Sequence, residues 1–329
     1  MFDIITFGSA TRDSFLSLSK KNYQVLKSNK FLPGKGLCFS LGSKIEIDNL
    51  DVSTGGGGTN TAATFANQGL KVAYIGKIGN DKRGEAVIEE LKNFGIYTGF
   101  IKKDKNRSTN YSVILSSFSK EKTILVYRGA CNFLTLKELS FKDIKAKWFY
   151  LAPLRGSLVN LFGPIVEFAK KNNIKVMVNP ANSQINLKKG ILRPILNKID
   201  ILSLNQEEAS LLTGVPFQKE KELFKKLNQM INGIAIITKG KNGVAVSDGI
   251  YIWKAPSIPI SLMDATGAGD ALASGFLSGF IKTSDIVYAI QFGVANATSC
   301  IKEIGAKNGL LKKGKFGSFP KVKIVKSKL

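Results

Sequence analysis

Short apolar runs alternate along the chain with segments whose apolar residues recur at helical spacing. Six runs have the length and the β-branched and aromatic content of buried strands: 2–8, 72–79, 147–153, 174–180, 199–205 and 233–240. Helical spacing is found between or after them, in 83–94, 158–173 and 206–214. This alternation predicts βαβ units and an α/β fold with a mostly parallel sheet. Sites in such folds gather at the carboxyl ends of the strands, where these runs end in Pro, Asn or Gly.

Two stretches, 14–50 and 97–129, interrupt this alternation without any helical pattern. The first contains KGLCFSLGSKIEI, which alternates like a half-exposed strand, and the second contains two strand-like runs around the polar turn SSFSKEK. We expect them to form a small β-sheet that acts as a lid on an α/β body formed by 1–13, 51–96 and 130–329. An exposed sheet has edges that a second subunit could cover, which predicts a homodimer through the lid.

The chain has no histidine, which excludes Ser-His-Asp catalysis, Cys-His catalysis and histidine metal sites. A proton must therefore move through a carboxylate, a lysine, a tyrosine or a cysteine. Cys38, Cys131 and Cys300 are far apart, so neither a disulfide framework nor a zinc site is encoded. The N-terminus lacks the pattern of a signal peptide, and the apolar runs are too short to cross a membrane. These features predict a protein of the reducing cytoplasm.

The formal net charge of +24 raises the question of a nucleic-acid partner. Lysine supplies 42 of the 48 basic residues, and the lysines are spread over the whole chain, including its basic last residues, which we expect to be peripheral. A nucleic-acid face usually clusters its charge and uses arginine, so a solvated surface that attracts small anionic substrates is favoured. Arg107, Arg128 and Arg155 could bind a substrate carboxylate or phosphate, although surface or lid-hinge contacts are the commoner role.

The strongest chemical signal is DATGAGDALASGFLSGF, residues 264–280. Small residues at 267–269 precede an apolar helix, so backbone N–H groups and the positive end of the helix dipole can approach an anion closely. Asp270 falls in the first turn of that helix. From the residues alone it could be a helix cap or a base beside a bound phosphate.

A second signal is TGGGGTNTAATFANQGL, residues 54–70, in which four glycines and Asn60 open a helix rich in Ala and Thr. The glycines expose the backbone to a ligand, and the asparagine can hydrogen-bond a polar group. A tight strand-to-helix turn would use the same residues for structural reasons alone. Neither a dinucleotide fingerprint nor a Walker A sequence occurs in the chain, so a phosphate site here needs another design.

The two signals, in this order and roughly 200 residues apart, resemble the ribokinase family, also called PfkB carbohydrate kinases. The match runs through 55–84 and 264–280, and between them through NQEEASLLTG (205–214) and GIAIITKGKNGVAV (233–246). It covers nearly the whole chain. The resemblance implies a ribokinase-like three-layer α/β/α fold with a small β-lid, and an ATP-dependent sugar kinase.

The resemblance also implies the catalytic groups. Asp270 matches the family's catalytic base, which takes the proton from the attacking sugar hydroxyl. Gly267, Ala268 and Gly269 match its anion hole, which stabilises charge on the phosphoryl group during transfer.

Further positions match groups that contact the nucleotide and its metal. Asn205 and Glu208 match the motif that holds Mg²⁺ through water, although Glu208 could also be a simple helix-start carboxylate. Thr238 and Gly240 match positions near the ATP phosphates, and Asn296 matches one near the adenine.

The remaining matches concern a monovalent cation and the acceptor. Asp264 and Thr266 match the monovalent-cation loop of many relatives, which implies potassium. Asp13, Gly56 and Asn60 match positions that bind sugar hydroxyls, with Asp13 just after the first strand; an isolated Asp there is more often a turn former.

The sequence departs from ribose-specific relatives at several acceptor positions. Thr11 and Gly57 stand where those relatives carry Asn and Lys, and YLAPLRG (150–156) lacks the acid expected nearby. Gly57 nevertheless remains a candidate substrate-binding position. A nucleoside kinase of the same family is the alternative, although no aromatic cluster near the motifs suggests a shelf for a base. A nucleic-acid-binding protein on this fold would predict a decayed Asp270 or glycine loop, and both are intact.

Overall fold

All six apolar runs predicted as buried strands contribute to one large sheet. The computed structural model describes residues 1–31, 34–117, 121–260, 263–316 and 319–329. The strands within them are β1 (Phe2–Phe7), β2 (Thr11–Ser17), β3 (Gln24–Lys27), β4 (Lys35–Cys38), β5 (Asn49–Gly55), β6 (Val72–Ile75), β7 (Lys77–Gly79), β8 (Lys102–Asp104), β9 (Asn110–Ser116), β10 (Lys122–Tyr127), β11 (Ala146–Leu151), β12 (Lys175–Val178), β13 (Ile201–Asn205), β14 (Ile234–Thr238), β15 (Val244–Ser247), β16 (Tyr251–Ala255) and β17 (Val325–Lys328).

The large sheet is mixed but mostly parallel, as predicted. Its order within the described residues is β17-β16-β15-β14-β13-β12-β11-β1-β6. The six strands from β6 to β14 run parallel, and β15, β16 and β17 are antiparallel additions. The basic C-terminus thus supplies an edge strand, where we had expected a peripheral tail. Lysine side chains suit an exposed edge because they discourage pairing with another chain.

Helices cover both faces of this sheet and give three layers. The described helices are α1 (Gly57–Asn67), α2 (Lys82–Asn93), α3 (Phe162–Lys171), α4 (Asn182–Ile185), α5 (Lys189–Leu196), α6 (Gln206–Thr213), α7 (Glu220–Asn228), α8 (Ala268–Thr283) and α9 (Ile286–Cys300), with 3₁₀ turns at Lys20–Asn22, Ala130–Phe133, Leu136–Glu138, Phe141–Asp143, Gly156–Leu161 and Gly240–Asn242. One apolar core includes Phe149 with α3, α5, α6 and α7, and the other includes Tyr150 with α1, α2, α8 and α9. Successive residues of a strand point to opposite faces of the sheet, so β11 contributes side chains to both cores. None of these helices is long and apolar enough to cross a membrane.

Within the described residues, the segments predicted as a lid form a separate four-stranded sheet in the order β10-β9-β2-β5, accompanied by the β3–β4 hairpin, and we keep the name lid for this sheet. Its bounds differ from those predicted, because the first crossing into the lid starts at Thr11 and the return ends at Gly55. The predicted strand in KGLCFSLGSKIEI covers only β4, since a turn with Gly42 at φ 74° follows it. Strand β8, assigned to the lid by sequence, pairs with β7. Part of the predicted SSFSKEK turn, residues 118–120, lies outside the described residues.

Candidate active site

The two glycine-rich motifs meet through a hydrogen bond between residues 210 positions apart. Asn60 Nδ2, in α1, donates to Asp270 Oδ2, in the first turn of α8, over 2.8 Å. Helix α8 begins after Gly267, and among the described atoms no side-chain cap bond closes that end. The Asp270 carboxylate is therefore directed across to α1, which argues against the helix-cap interpretation.

Asp270 lies in surroundings that disfavour its charge. Burial raises the pKa of this carboxyl, and the hydrogen bond from Asn60 opposes the rise. The hydroxyl of Tyr150 is buried without a hydrogen-bond partner in the described chain. Burial and then the charge of Asp270 raise the pKa of Tyr150, which keeps it neutral beside the carboxylate. A raised carboxyl pKa is typical of a group that accepts a proton in catalysis.

The glycines of the first motif allow two carboxylates to approach the same short segment. A Cβ on Gly55 would lie 2.0 Å from Asp13 Oδ2, and a Cβ on Gly57 would lie 3.5 Å from Asp270 Oδ1. Gly56 has a φ of 98°, and its Cβ would strike the Ser9 carbonyl at 2.4 Å. Two residues span at most about 7 Å of chain, so Asp13 and Asp270 flank a single cleft.

Asp13 is placed differently from the sequence expectation. It lies within β2 of the lid sheet, whereas we had expected it just after the first strand. Its carboxylate is buried and accepts a 2.8 Å hydrogen bond from Thr11 Oγ1. Burial raises the pKa of Asp13, while the hydrogen bonds from Thr11 and Ser112 act in the opposite direction. Thr11 therefore orients the Asp13 carboxylate.

A buried lysine beside this carboxylate was not found from the sequence. Lys307 Nζ donates to Glu90 Oε2 over 2.5 Å and also bonds the Thr54 hydroxyl. Burial lowers the pKa of Lys307, and the charges of Glu90 and then Asp13 oppose that change. No local pattern distinguishes this lysine from the other 41, and only the fold brings it to the cleft.

The turn that begins α8 has the conformation expected of an anion hole. Gly267 adopts a left-handed φ of 79°, and a Cβ there would lie 2.4 Å from the Ala306 side chain. Gly269 has open space at its Cβ position. Ala268 and Gly269 both line a cavity of about 410 Å³. The first-turn N–H groups of α8 lack partners within the helix, and outside it Ala268 N donates to the Ala265 carbonyl over 3.3 Å. The N–H of Gly269 therefore makes this wall of the cavity suited to an anion.

The same cavity is lined by two of the four predicted nucleotide positions, Thr238 and Gly240, and not by Asn205 or Asn296. Thr238 and Gly240 line it, together with Val294, Ala297, Thr298 and Ile301 on one face of α9. Asn296 is fully buried and lies off that face. Its Nδ2 donates to the Ala271 carbonyl over 2.8 Å, and its Oδ1 accepts from Leu311 N over 3.0 Å. This geometry argues against an adenine contact for Asn296, whose amide joins α8 and α9 to the segment after α9.

Asn205 and Glu208 form a reciprocal helix cap. Asn205 Oδ1 accepts from Glu208 N, and Glu208 Oε2 accepts from Asn205 N, each over 2.8 Å. Burial raises the pKa of Glu208, an effect that the Asn205 bond and the nearby Arg155 charge oppose. The cap uses one carboxylate oxygen. No group of three or more His, Cys, Asp or Glu that could hold a metal occurs among the described residues.

The resemblance assigns the Asp264 carboxylate to a cation site, but both of its oxygens already bind groups of the chain itself. Oδ1 accepts from Thr266 N over 2.8 Å, Oδ2 accepts from Gly305 N over 3.1 Å, and Lys122 forms an ion pair with Oδ1. A monovalent cation at Asp264 and Thr266 stays a prediction, and this ion pair bears on it directly.

The three arginines of interest have different surroundings. Arg107 donates to Asp104 over 3.3 Å and stacks 3.9 Å from the Phe133 ring centre, so it makes structural contacts near the lid junction. Arg128 and Arg155 are exposed. Cys38, Cys131 and Cys300 are free thiols.

Known proteins match this chain over most of its length. The family described as pfkB family carbohydrate kinase matches residues 30–313. The ribokinase of Haemophilus influenzae is 30% identical over 278 residues, which cover 82% of this chain and 88% of that protein.

Solved structures share the fold at lower identity. A ribokinase of Arabidopsis thaliana, complexed with ribose and ATP, superposes with a TM-score of 0.74 at 21% identity and covers 94% of this chain and 96% of its own. An adenosine kinase of Sinorhizobium meliloti gives 0.75 at 19% identity, with 93% and 95% covered. The chain belongs to the pfkB family of carbohydrate kinases, and is thus a phosphotransferase that acts on an alcohol group.

Proposed function

We propose that this kinase transfers the γ-phosphoryl group of ATP to a hydroxyl of a monosaccharide, with Asp270 as the catalytic base. One observation carries the proposal: the Asn60–Asp270 hydrogen bond brings the first glycine-rich motif to the start of α8, where Ala268 and Gly269 line a cavity. The acceptor is bound on the Asn60 side and the nucleotide on the Gly269 side.

The acceptor side offers groups suited to sugar hydroxyls. Asn60 Oδ1 is buried and has no hydrogen-bond partner in the described chain, so it can accept from a bound hydroxyl. The Asp13 carboxylate lies at the other end of the glycine segment, and Gly56 and Gly57 leave their backbone free of side chains. Leaving such polar atoms unpaired is costly, so the site rejects compounds without matching hydroxyls.

Asp270 takes the proton as the acceptor oxygen attacks the phosphorus. Backbone N–H groups of Gly267, Ala268 and Gly269 stabilise the negative charge that spreads over the transferred phosphoryl oxygens. Thr238 and Gly240 line the far wall of the cavity, where the rest of the nucleotide is bound.

A magnesium ion fits the donor set if it enters with the nucleotide. Glu208 has a carboxylate oxygen beyond the one that caps α6, and Asn205 fixes its orientation. Mg²⁺ keeps several waters and is held largely by substrate phosphates, so one protein carboxylate suffices. When bound, the metal neutralises phosphate charge.

The net positive charge attracts anionic substrates such as ATP. Together with the three free thiols, it suits an enzyme that acts on small molecules in the cytoplasm. We expect neither a nucleic acid nor a membrane as partner.

A substrate panel tests the acceptor. On a panel of ribose, fructose, 2-keto-3-deoxygluconate and fructose phosphates with ATP and Mg²⁺, we expect turnover of a neutral or singly anionic monosaccharide and not of the more highly charged phosphates. Adenosine and cytidine should react much more slowly, because the sequence near the motifs of Asn60 and Asp13 has no aromatic cluster that suggests a shelf for a base. Turnover of nucleosides alone would favour a nucleoside kinase. Tight RNA or DNA binding at physiological salt with no turnover would refute the proposal.

Asp270→Asn should lower kcat by about 100- to 10,000-fold, since the attacking hydroxyl then loses its base. ATP affinity should change little. Wild-type activity should fall at acid pH as Asp270 gains a proton, with a midpoint above the ordinary pKa of 3.8 because burial raises it. This acid limb should vanish from the residual activity of the variant. Steady-state kinetics across pH and ATP titration measure both effects.

Asp285→Asn is the matched control, because Asp285 caps the N-terminus of α9 at the other end of α8. Asparagine is an equally good cap, so this variant should keep its kcat and its pH profile. If Asp270→Asn retained more than about a tenth of wild-type kcat, far above what loss of a general base permits, Asp270 would not be the base.

Gly269→Val should lower kcat/KM for ATP by on the order of 100-fold, the cost of disturbing one anion-hole donor. The side chain would extend into open space that belongs to the cavity, so the fold should survive. Gly190→Val is the control: Gly190 is likewise the second residue of its helix, with open space at Cβ, but lies on α5. Thermal melting and kinetics on both variants separate folding from catalysis, and equal activities would disprove the anion-hole role.

We also propose that the lid pairs two subunits. Four consecutive apolar residues on the edge strand β10, Ile124 to Tyr127, are each 49–55% exposed, and Leu50 and Val52 on β5 are similarly exposed. Edges of this kind are commonly covered. Sedimentation should show a wild-type dimer and a monomeric Ile124→Lys/Val126→Lys variant. A monomeric wild type at micromolar concentrations would contradict the proposal.

A further inference from the structure

A lysine from the lid reaches the loop that leads into the anion-hole turn. Lys122 is the first residue of β10, and its ammonium forms an ion pair with Asp264, six residues before Asp270. The side chain passes over Phe15 of β2, with Nζ 5.7 Å from the ring centre. Within the described chain, Lys122 is the residue with which Asp264 forms an ion pair.

The Asp264 carboxylate is 1% exposed and both its oxygens are used. Oδ1 is shared by the Lys122 ammonium and Thr266 N–H, and Oδ2 accepts from Gly305 N–H. Burial alone would raise the pKa of Asp264, but the hydrogen bonds from Lys122 and Thr266 hold it below its usual value. The group is therefore a fixed negative charge with a cation already in contact.

Asp264 joins two segments that shape the Gly267 turn. Asp264 N donates to the Ile301 carbonyl over 3.2 Å, and its Oδ2 holds Gly305. The next residue, Ala306, packs against Gly267 at a distance that only glycine allows. Neutralising Asp264 thus affects the position of the backbone that supplies the anion hole.

We propose that the Lys122 ammonium takes the place of the monovalent cation implied by the resemblance, so that this kinase works without potassium. An ammonium carries the same single charge and offers three N–H donors. A free ion would need several oxygen ligands around Asp264, and the position against Oδ1 is filled by Nζ. Because Lys122 belongs to the lid, the same ion pair fastens the lid to the anion-hole loop.

The test compares potassium chloride with tetramethylammonium chloride at equal ionic strength. Wild-type kcat should agree within about twofold in the two salts. In tetramethylammonium, the kcat of Lys122→Met should fall by about tenfold or more, up to the loss expected from removing one anion-hole donor. Potassium should restore a large part of this kcat. Lys122→Arg should behave like the wild type. Lys35→Met is the control, because Lys35 pairs with Glu121 at an exposed part of the lid.

A second measurement, thermal melting, needs no substrate. Its result does not depend on the proposed reaction, whereas the kinetic measurement does. Potassium should raise the melting temperature of Lys122→Met in a saturable way relative to tetramethylammonium, and should leave the wild type unchanged. Lys122→Gln provides a second substitution if the methionine variant does not fold. Saturable activation or stabilisation of the wild type by potassium would overturn the inference, as would full potassium-independent activity of Lys122→Met.

Discussion

The Asn60–Asp270 hydrogen bond is the contact on which the geometry of the site depends. It joins the start of α1 to the start of α8, two helices that pack against each other on the same face of the sheet. In the mechanism that we propose, the Asp270 carboxylate must stay ionised to act as a base, yet burial disfavours its charge. One side-chain donor and the dipole of α8 oppose that penalty without neutralising the group. The proposed base is thus held ionised but able to accept a proton.

Glycine makes this contact possible by removing side chains from the helices around it. A Cβ on Gly58 would meet the Tyr74 ring at 2.7 Å, and one on Gly275 would meet Gly293 of α9 at 3.0 Å. The first glycine seats α1 over the strands, and the second lets α9 approach α8 closely. These residues are structural, whereas Gly269 faces the cavity, so the two glycine-rich motifs combine packing positions with ligand positions.

Sequence patterns identified the parts of this protein that depend on local rules. Apolar runs predicted the parallel strands, and the resemblance named Asp270 and Asn60, but the residues alone left Asp270 open between cap and base. The resemblance assigned Asn296 to the adenine, but in the structure Asn296 lies on a different face of α9 from its neighbour Ala297, which lines the cavity. Lys122 and Lys307 could not be found, since an ion pair between distant residues leaves no local trace among 42 lysines.

The acceptor site that we propose differs chemically from the ribose pattern at the positions where the sequence departs from it. The Thr11 hydroxyl donates its hydrogen bond to Asp13 and so orients that carboxylate. Gly57 faces Ala152 and Pro153, at 3.1 and 3.3 Å from its Cβ position, and Asp270 Oδ1 lies 3.5 Å from the same position. This wall is therefore apolar and close to the base. Hydroxyl recognition falls to Asp13 and Asn60, and discrimination among sugars must come from shape at this wall, which a hydrophobic surface provides only weakly.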